Sequence, residues 1–375
     1  MGVSSLGEAF TVVMKRHGLT GAALARKLGV PQPWVSMVLS GKRDPGMARS
    51  ADLLRRAGWE LELVPSQEED PVKRRRFLAS AASVALIPSA TQTNPYRDAA
   101  FVQLLADRLA HTEEQIGGAP LIREAMRHVH HIAPAVGEKD TGLQVAGSEL
   151  ARQAALVLHD TRHLDQAERV ASLALALAVK AEDTRGQAHA YATLSLIRTY
   201  GVPNSRAAEY VRCGLALDGL DDATRAMLLV RLGRSLAVLP GQERPVRRAL
   251  EKAQGLAGRL SPVDGAELMA NSGIALSDCG LHSQGAVDLQ AAVASVESRS
   301  PLLLGLYRAR LTKSAIKARD LGAVAEGMSA LAKIVPLVTS RRLTIHVGHI
   351  LSSTLPWGRV QEIGEARDQL REISR

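Results

Sequence analysis

The sequence predicts an all-α protein built in two parts, a small basic helical domain and a long array of paired helices, with a linker between them. Three observations predict it. Ala, Leu and Val dominate a chain that is 46% hydrophobic but only 3% aromatic, a mixture that favours close-packed helices over sheet. Apolar residues recur at helical spacing between breaks at Gly, Pro and Ser-Pro, the signature of amphipathic helices. Beyond residue 96 a sequence pattern returns at a period near forty, as it does in helical repeats. A length of 375 residues is enough for two or more domains.

In order along the chain, the first helix is expected over about 5–17, with Leu6, Phe10, Val13 and Met14 inward and Gly18 closing it. The segment from Thr20 to Pro45 then reads TGAALARKLGVPQPWVSMVLSGKRDP. Thr20 is a helix cap, because its hydroxyl accepts from an otherwise unpaired backbone N–H. Ala23, Leu24 and Leu28 form one apolar face. Gly29 suits a tight turn in which φ > 0 costs Gly little. Pro31 presets φ for the next helix, whose buried face is Val35, Val38 and Leu39. That leaves Gln32, Pro33, Trp34, Ser36 and Met37 outward. Gly41 ends this helix as a C′ glycine does, and the basic pair Lys42 and Arg43 follows. A fourth helix is expected over about 47–57, with Leu53 and Leu54 inward.

This is the layout of a DNA-reading helix-turn-helix. The run Leu24-Ala25-x-x-Leu28-Gly29-Val30-Pro31-Gln32-x-x-Val35-Ser36-x-x-Leu39-Ser40-Gly41-Lys42-Arg43-x-Pro45 resembles the phage-repressor/Cro (XRE) family over about the first sixty residues. The family often has an acidic residue where Leu39 stands and a small polar one where Pro33 stands, so Pro33 removes one base-contacting side chain. The resemblance implies double-stranded DNA as partner, bound by a homodimer at a palindromic operator. The second helix would enter the major groove with its N-terminal side chains at base edges. Gln32 matches the position that reads adenine through its amide, and Met37 another base-facing one. Ser36 would meet base or phosphate, with Pro33 beside them. Trp34 either packs on a sugar or thymine methyl or caps the small core. Thr20, Arg26, Lys42 and Arg43 would hold phosphates and so position the helix without reading sequence. Charge agrees: residues 1–58 hold nine Lys or Arg against three acids, within a chain of net charge +9, the footprint of a phosphate-bearing partner.

After Gly58 the period changes to two. Trp59, Leu61 and Leu63 alternate with Glu60 and Glu62, which predicts one short strand. It would pair with its copy in a second subunit or lie against the small domain, since a lone strand is unstable. The first domain is therefore drawn over 1–64 and a linker over 65–95. Within the linker, Lys73-Arg74-Arg75-Arg76-Phe77-Leu78 and the apolar run 79–88 resemble a twin-arginine export signal. Such signals are N-terminal, and this one follows a domain, so a short linker helix with its basic end near DNA is expected instead.

From residue 96 to 375 a helical repeat domain is expected. The positions Ala167, Ala208, Val246, Ala286 and Ala325 each lie early in an Ala/Leu-rich helix, spaced 41, 38, 40 and 39 residues apart. This resembles a divergent tetratricopeptide (TPR) array stretched beyond its usual repeat, with an ordinary helical bundle as the alternative. Such solenoids offer a long concave groove for a peptide, a partner helix or a small effector. Tyr191, Arg198, Asn271, Tyr307 and Arg310 are the groove residues expected to bind it. A DNA reader fused to such an array resembles actinobacterial regulators in which a signal bound by the repeats changes DNA affinity. The alternative is an interaction scaffold whose helix-turn-helix has ceased to read DNA.

The remaining classes find little support. His128, His130 and His131 crowd one segment, and His159 and His163 stand i, i+4 on one expected helical face. Zinc sites use such spacings, but no Glu follows His159 as in a zinc protease and no cysteine lies nearby. Histidines at the surface or lining the solenoid are expected, with no metal and no cofactor. A Walker-type loop, a GxGxxG after a strand and a serine nucleophile elbow are all missing from the sequence, so no catalytic residue is expected. Two scattered cysteines, Cys213 and Cys279, suggest a reducing compartment. With no signal peptide and no long apolar span, a cytoplasmic protein off the membrane is expected.

Overall fold

The structure is a computed structural model that describes residues 2–3, 6–40, 53–54, 59–64, 83–88, 94–137, 139–201 and 205–374. Among these, seventeen α-helices account for nearly all regular structure. The chain divides into two compact units, Met1–Thr93 and Asn94–Arg375.

In the first unit, α1 (Leu6–His17), α2 (Gly21–Leu28) and α3 (Gln32–Leu39) enclose a small core. Thr20 Oγ1 accepts from the Ala23 N–H at 3.2 Å and so caps α2. Gly29 ends α2 at φ 68°, in the left-handed region, where a side chain would be strained. Pro31, at φ −63°, then leads directly into α3. Phe10, Val13, Leu24, Leu28, Trp34, Val35 and Val38, joined by Leu53 and Leu54, form the buried cluster. A three-stranded antiparallel sheet completes the described part of this unit, in the order β1 (Gly2–Val3), β3 (Ser83–Pro88), β2 (Trp59–Val64). β2 pairs with β3 of its own chain, Trp59 opposite Pro88 and Val64 opposite Ser83. This corrects the linker, because 83–88 is strand where a short helix was expected. The basic segment 73–78, Lys42, Arg43 and Gly41 lie outside the described residues.

The second unit is helical throughout its described residues. It runs α4 (Ala99–Ile116), α5 (Ile122–Ile132), α6 (Thr141–Asp160), α7 (Leu164–Lys180), α8 (Thr184–Thr199), α9 (Arg206–Leu215), α10 (Asp222–Ala237), α11 (Glu243–Gln254), α12 (Pro262–Asp278), α13 (His282–Val296), α14 (Pro301–Ala318), α15 (Leu321–Ile334), α16 (Arg341–Ser353) and α17 (Gln361–Ile373). From α6 to α15, consecutive helices pack on one another, most extensively α6 on α7. Fully buried Ala151, Ala154, Ala155, Ala167, Ala171 and Ala174 belong to the core around that pair. Alanine at such positions lets helix axes approach and loses no side-chain entropy.

The even-numbered helices from α4 to α14 form an inner row, each packed on the next, and α14 packs back on α4. Short polar contacts join the same two ends. Thr339 N donates to Ile116 O at 2.7 Å and Ala119 N to Thr339 O at 3.2 Å. Gln115 Nε2 donates to Arg299 O at 2.7 Å, and Ser340 Oγ to Asp160 Oδ1 at 2.6 Å. At Gly117, with φ 81°, a Cβ would sit 2.5 Å from Thr339 O, so the approach requires glycine. The expected open groove is thus replaced by a ring closed around a cavity.

Candidate functional site

Two places gather chemistry, the outer edge of α3 and the cavity inside the helical ring. On α3, Gln32, Pro33 and Ser36 are exposed and Met37 is half-buried. Trp34 is only 7% exposed, its ring centroid 6.3 Å from that of Phe10. It is a core residue, so of the two expectations for Trp34 the one that packs it over the small core holds and the outward one is corrected. The reason is that Trp34, Val35 and Val38 make one stripe at i, i+1, i+4, and the large indole buries more area than Leu39 would. Met37 packs partly against the same core, and Ser36 Oγ donates to Gln32 O at 3.3 Å. Thr20 and Arg26 are exposed on the neighbouring helix and its cap, so Thr20, Arg26, Gln32 and Ser36 present polar atoms outside the core.

The cavity, of about 680 Å3, is lined from α4, α6, α8, α10, α12, α14 and α16, their ends and adjoining turns, and no lining residue comes from the odd-numbered helices. Among the expected groove residues, Asn271, Tyr307 and Arg310 line it. Tyr191 and Arg198 do not. On α8 the cavity face is His189, Ala192, Thr193, Leu196 and, just beyond the helix, Tyr200. Residues 191 and 198 lie about half a turn away from that face. Arg198 accordingly pairs with Glu168 of α7, its Nε 2.7 Å from Oε1, and Tyr210 of α9 donates to the same oxygen at 3.2 Å. Tyr191 instead packs beside Gly214 of α9.

Tyr200 is the hub of the polar network. Its phenol oxygen accepts from Arg310 Nη2 at 2.7 Å and also from Arg234 Nη2. Arg234 Nη1 donates to Asn271 Oδ1 at 2.6 Å, and Arg310 Nη1 to Asp278 Oδ1 at 2.5 Å. Burial would raise the pKa of Tyr200, but Arg234 and Arg310 outweigh it and bring the phenol down to about 8. Three cavity cations have a carboxylate: Arg152 has Glu149 at 2.6 Å, Arg310 has Asp278, and Arg342 has Asp160 at 2.9 Å. Arg231 and Arg234, i, i+3 on α10, lack one among the described residues. Nε and Nη1 of Arg231 and Nε of Arg234 are buried without a hydrogen-bond partner. Burial, and then Arg234, lower the Arg231 guanidinium to about 9. Glu267 faces the same cavity, and burial followed by Asp264 raises its carboxyl.

Other groups there are neutral at neutral pH. Burial, with Asp160 next, lifts Glu113 to about 8. Burial and then Arg152 bring His189 to about 4. Burial and then Arg342 hold His159 well below its usual value, with both ring nitrogens unpartnered.

No family model matches the chain, and no curated protein matches it.

His159 lines the cavity as expected, but the helical face it was expected to share with His163 needs correction. His159 is buried near the end of α6, whereas His163 precedes α7 and meets Thr161 Oγ1 at 3.0 Å, so the two share no helical face. His128 is buried, its Nδ1 2.7 Å from Tyr96 OH, and His131 stacks on the Tyr96 ring at 4.5 Å. No cluster of three or more His, Cys, Asp or Glu among the described residues is placed to hold a metal. Nor is any helix among them long and apolar enough to cross a membrane. What sequence reasoning missed is Arg231 and Arg234. Their signal was visible as two arginines three apart inside the apolar run Met227-Leu228-Leu229-Val230 to Leu236.

Proposed function

We propose that the chain is a sequence-specific DNA-binding transcriptional regulator of the phage-repressor type, acting as a homodimer, in which the helical unit binds an effector that alters DNA affinity. The observation that carries it is the outward edge of α3. Gln32, Pro33 and Ser36 stand exposed at its N-terminal end while Trp34, Val35 and Val38 anchor the helix in the core. A helix held in this way can place its first turn in a major groove. Gln32 reads a base, Ser36 and Met37 flank it, and Thr20, Arg26, Lys42 and Arg43 grip phosphates. The Thr20 hydroxyl accepts from Ala23 N–H and still has a proton to donate to a phosphate oxygen. The positive charge of the first 58 residues supports this reading.

An interaction scaffold is the second reading. It is favoured by the burial of Trp34 and the bond of Ser36 to its own helix backbone, which leave α3 few side chains for bases. Selection from a genomic fragment library at two salt concentrations separates the two. Enrichment of a palindrome with half-sites about one helical turn apart is expected. Gln32→Ala should cost about 1–3 kcal/mol on that site and leave random DNA binding unchanged. Lys42→Ala should weaken all sequences alike. Equal loss on both DNAs for Gln32→Ala removes the base contact, and sequence-blind binding by the parent chain favours the scaffold.

A further inference from the structure

We infer that the cavity inside the helical ring binds a small amphipathic organic anion, its carboxylate or phosphate head taken by Arg231 and Arg234 and its apolar body by the walls beside them. The inference rests on reading the helical unit as the effector-binding half, and it names the chemistry of that effector.

The first observation is an imbalance of partners. A buried guanidinium without a carboxylate is costly, and native proteins nearly always supply one. Here Arg152, Arg310 and Arg342 each have their own; of the other lining cations, Arg231 and Arg234 are the ones with buried nitrogens left unpartnered. Arg234 has only the neutral acceptors Asn271 and Tyr200. Arg231 keeps Nε and Nη1 buried and unpartnered. Two adjacent guanidiniums with unspent donors, facing a cavity, are complementary to an oxyanion, which arginine binds with two parallel bonds.

The second observation is the size of the space and the ring of helices around it. A cavity of about 680 Å3 falls within the size range of small-molecule sites. An extended peptide needs an open groove, and closure of α14 onto α4 removes it. The third is the rest of the lining. Val230, Ile274, Leu303 and Leu306 contribute apolar surface to the same space, which an inorganic ion would leave uncovered. A ligand with one charged end and a hydrocarbon or aromatic body satisfies both.

The test uses the full chain, calorimetric titration and three probes of equal carbon count: decanoate, decyl phosphate and the neutral decan-1-ol. At least one anion should bind with one site per chain while decan-1-ol binds far more weakly, and the tighter of the two anions identifies the head group. Arg231→Met should weaken anion binding about tenfold or more. In the absence of probe the same variant should melt at or above the parent temperature, because it removes a buried charge that no carboxylate pairs directly. Arg259→Met, at a 70% exposed side chain paired with Asp222 and outside the cavity lining, should bind as the parent does. The inference is overturned if neither anion binds, if decan-1-ol binds equally well, if Arg231→Met binds unchanged, or if that variant is less stable than the parent. These titrations contain no DNA, so their failure leaves the operator-binding experiment standing, and the reverse also holds.

Discussion

The indole of Trp34 and the guanidinium of Arg231 are both buried, and burial means opposite things for them. Apolar area gains from leaving water, so Trp34 packed against Phe10 stabilises the first unit. Trp34→Ala should cost about 3–5 kcal/mol and abolish binding to every DNA sequence through loss of fold. A chemical denaturation midpoint indistinguishable from the parent's would return Trp34 to the DNA surface. Buried charge loses instead, and Glu113 shows how this appears in pH. Its pKa stands near 8 in the fold against an ordinary 4.5, raised by burial and then by Asp160. Below pH 4.5 the acid is neutral in both states and its contribution is fully present. As pH rises towards 8, the unfolded chain ionises while the folded one resists, and stability is lost. Glu113→Gln should therefore match the parent near pH 4.5 and exceed it increasingly up to pH 8, measured by urea denaturation at both ends of that window. A gap that does not change with pH would mean that the carboxyl ionises normally in the fold.

At the scale of elements, capping does much of the positioning. Asp98, Asp140, Asp183, Asp221, Ser261, Ser300 and Ser340 cap the seven helices α4, α6, α8, α10, α12, α14 and α16, each side chain accepting a backbone N–H of its first turn. Among α7, α9, α11, α13, α15 and α17, only α15 has such a cap, from Asp320. Thr20 does the same for α2, and Thr20→Ala should cost about 1 kcal/mol, read as a lower melting temperature of the first unit. If phosphate binding is its second role, Thr20→Ser should restore both stability and DNA affinity; restoration of neither would remove both roles. The cap spacings of 42, 43, 38, 40, 39 and 40 residues were legible in the sequence, because caps are local chemistry. The period read from Ala167 to Ala325 caught the outer helices of the same pairs. Other features were not legible. The run 83–88 is short and apolar, and nothing local distinguishes its pairing with β2 from a helix. Whether Trp34 or Leu39 joins Val35 and Val38 in the core depends on which larger surface finds a partner, and that partner is Phe10 on another helix. Tyr191 and Arg198 were misplaced for a related reason, since choosing the cavity face of α8 requires knowing which side α7 and α9 cover.

Closure of the ring is a property of the whole helical unit, and it converges on one carboxylate. Asp160, fully buried at the end of α6, accepts from Gly118 N at 2.9 Å, Ser340 Oγ at 2.6 Å and Arg342 Nε at 2.9 Å. It thereby ties the turn after α4 to the start of α16, residues 42 and 182 positions away in sequence. Removing the two ends of this ion pair should not be equivalent. Asp160→Ala orphans a buried N–H and a partly buried guanidinium beside the neutral His159, and should cost about 3–5 kcal/mol. Arg342→Ala leaves Asp160 with Gly118 and Ser340 still donating, and should cost markedly less. The difference should also be spatial. Amide hydrogen exchange in Asp160→Ala should accelerate over 114–119 and 339–343, where the seam lies, while the paired helices α8 to α11 stay protected. If the cavity is sealed by this seam, decyl phosphate or decanoate binding should fall in Asp160→Ala although no cavity cation has been altered, and Arg247→Met, which breaks only exposed contacts with Glu243 and Gln284, should change neither exchange nor binding. Uniform acceleration across the whole unit would instead mean that Asp160 holds up the array as a whole, and that closure is a consequence of packing rather than of this one buried charge.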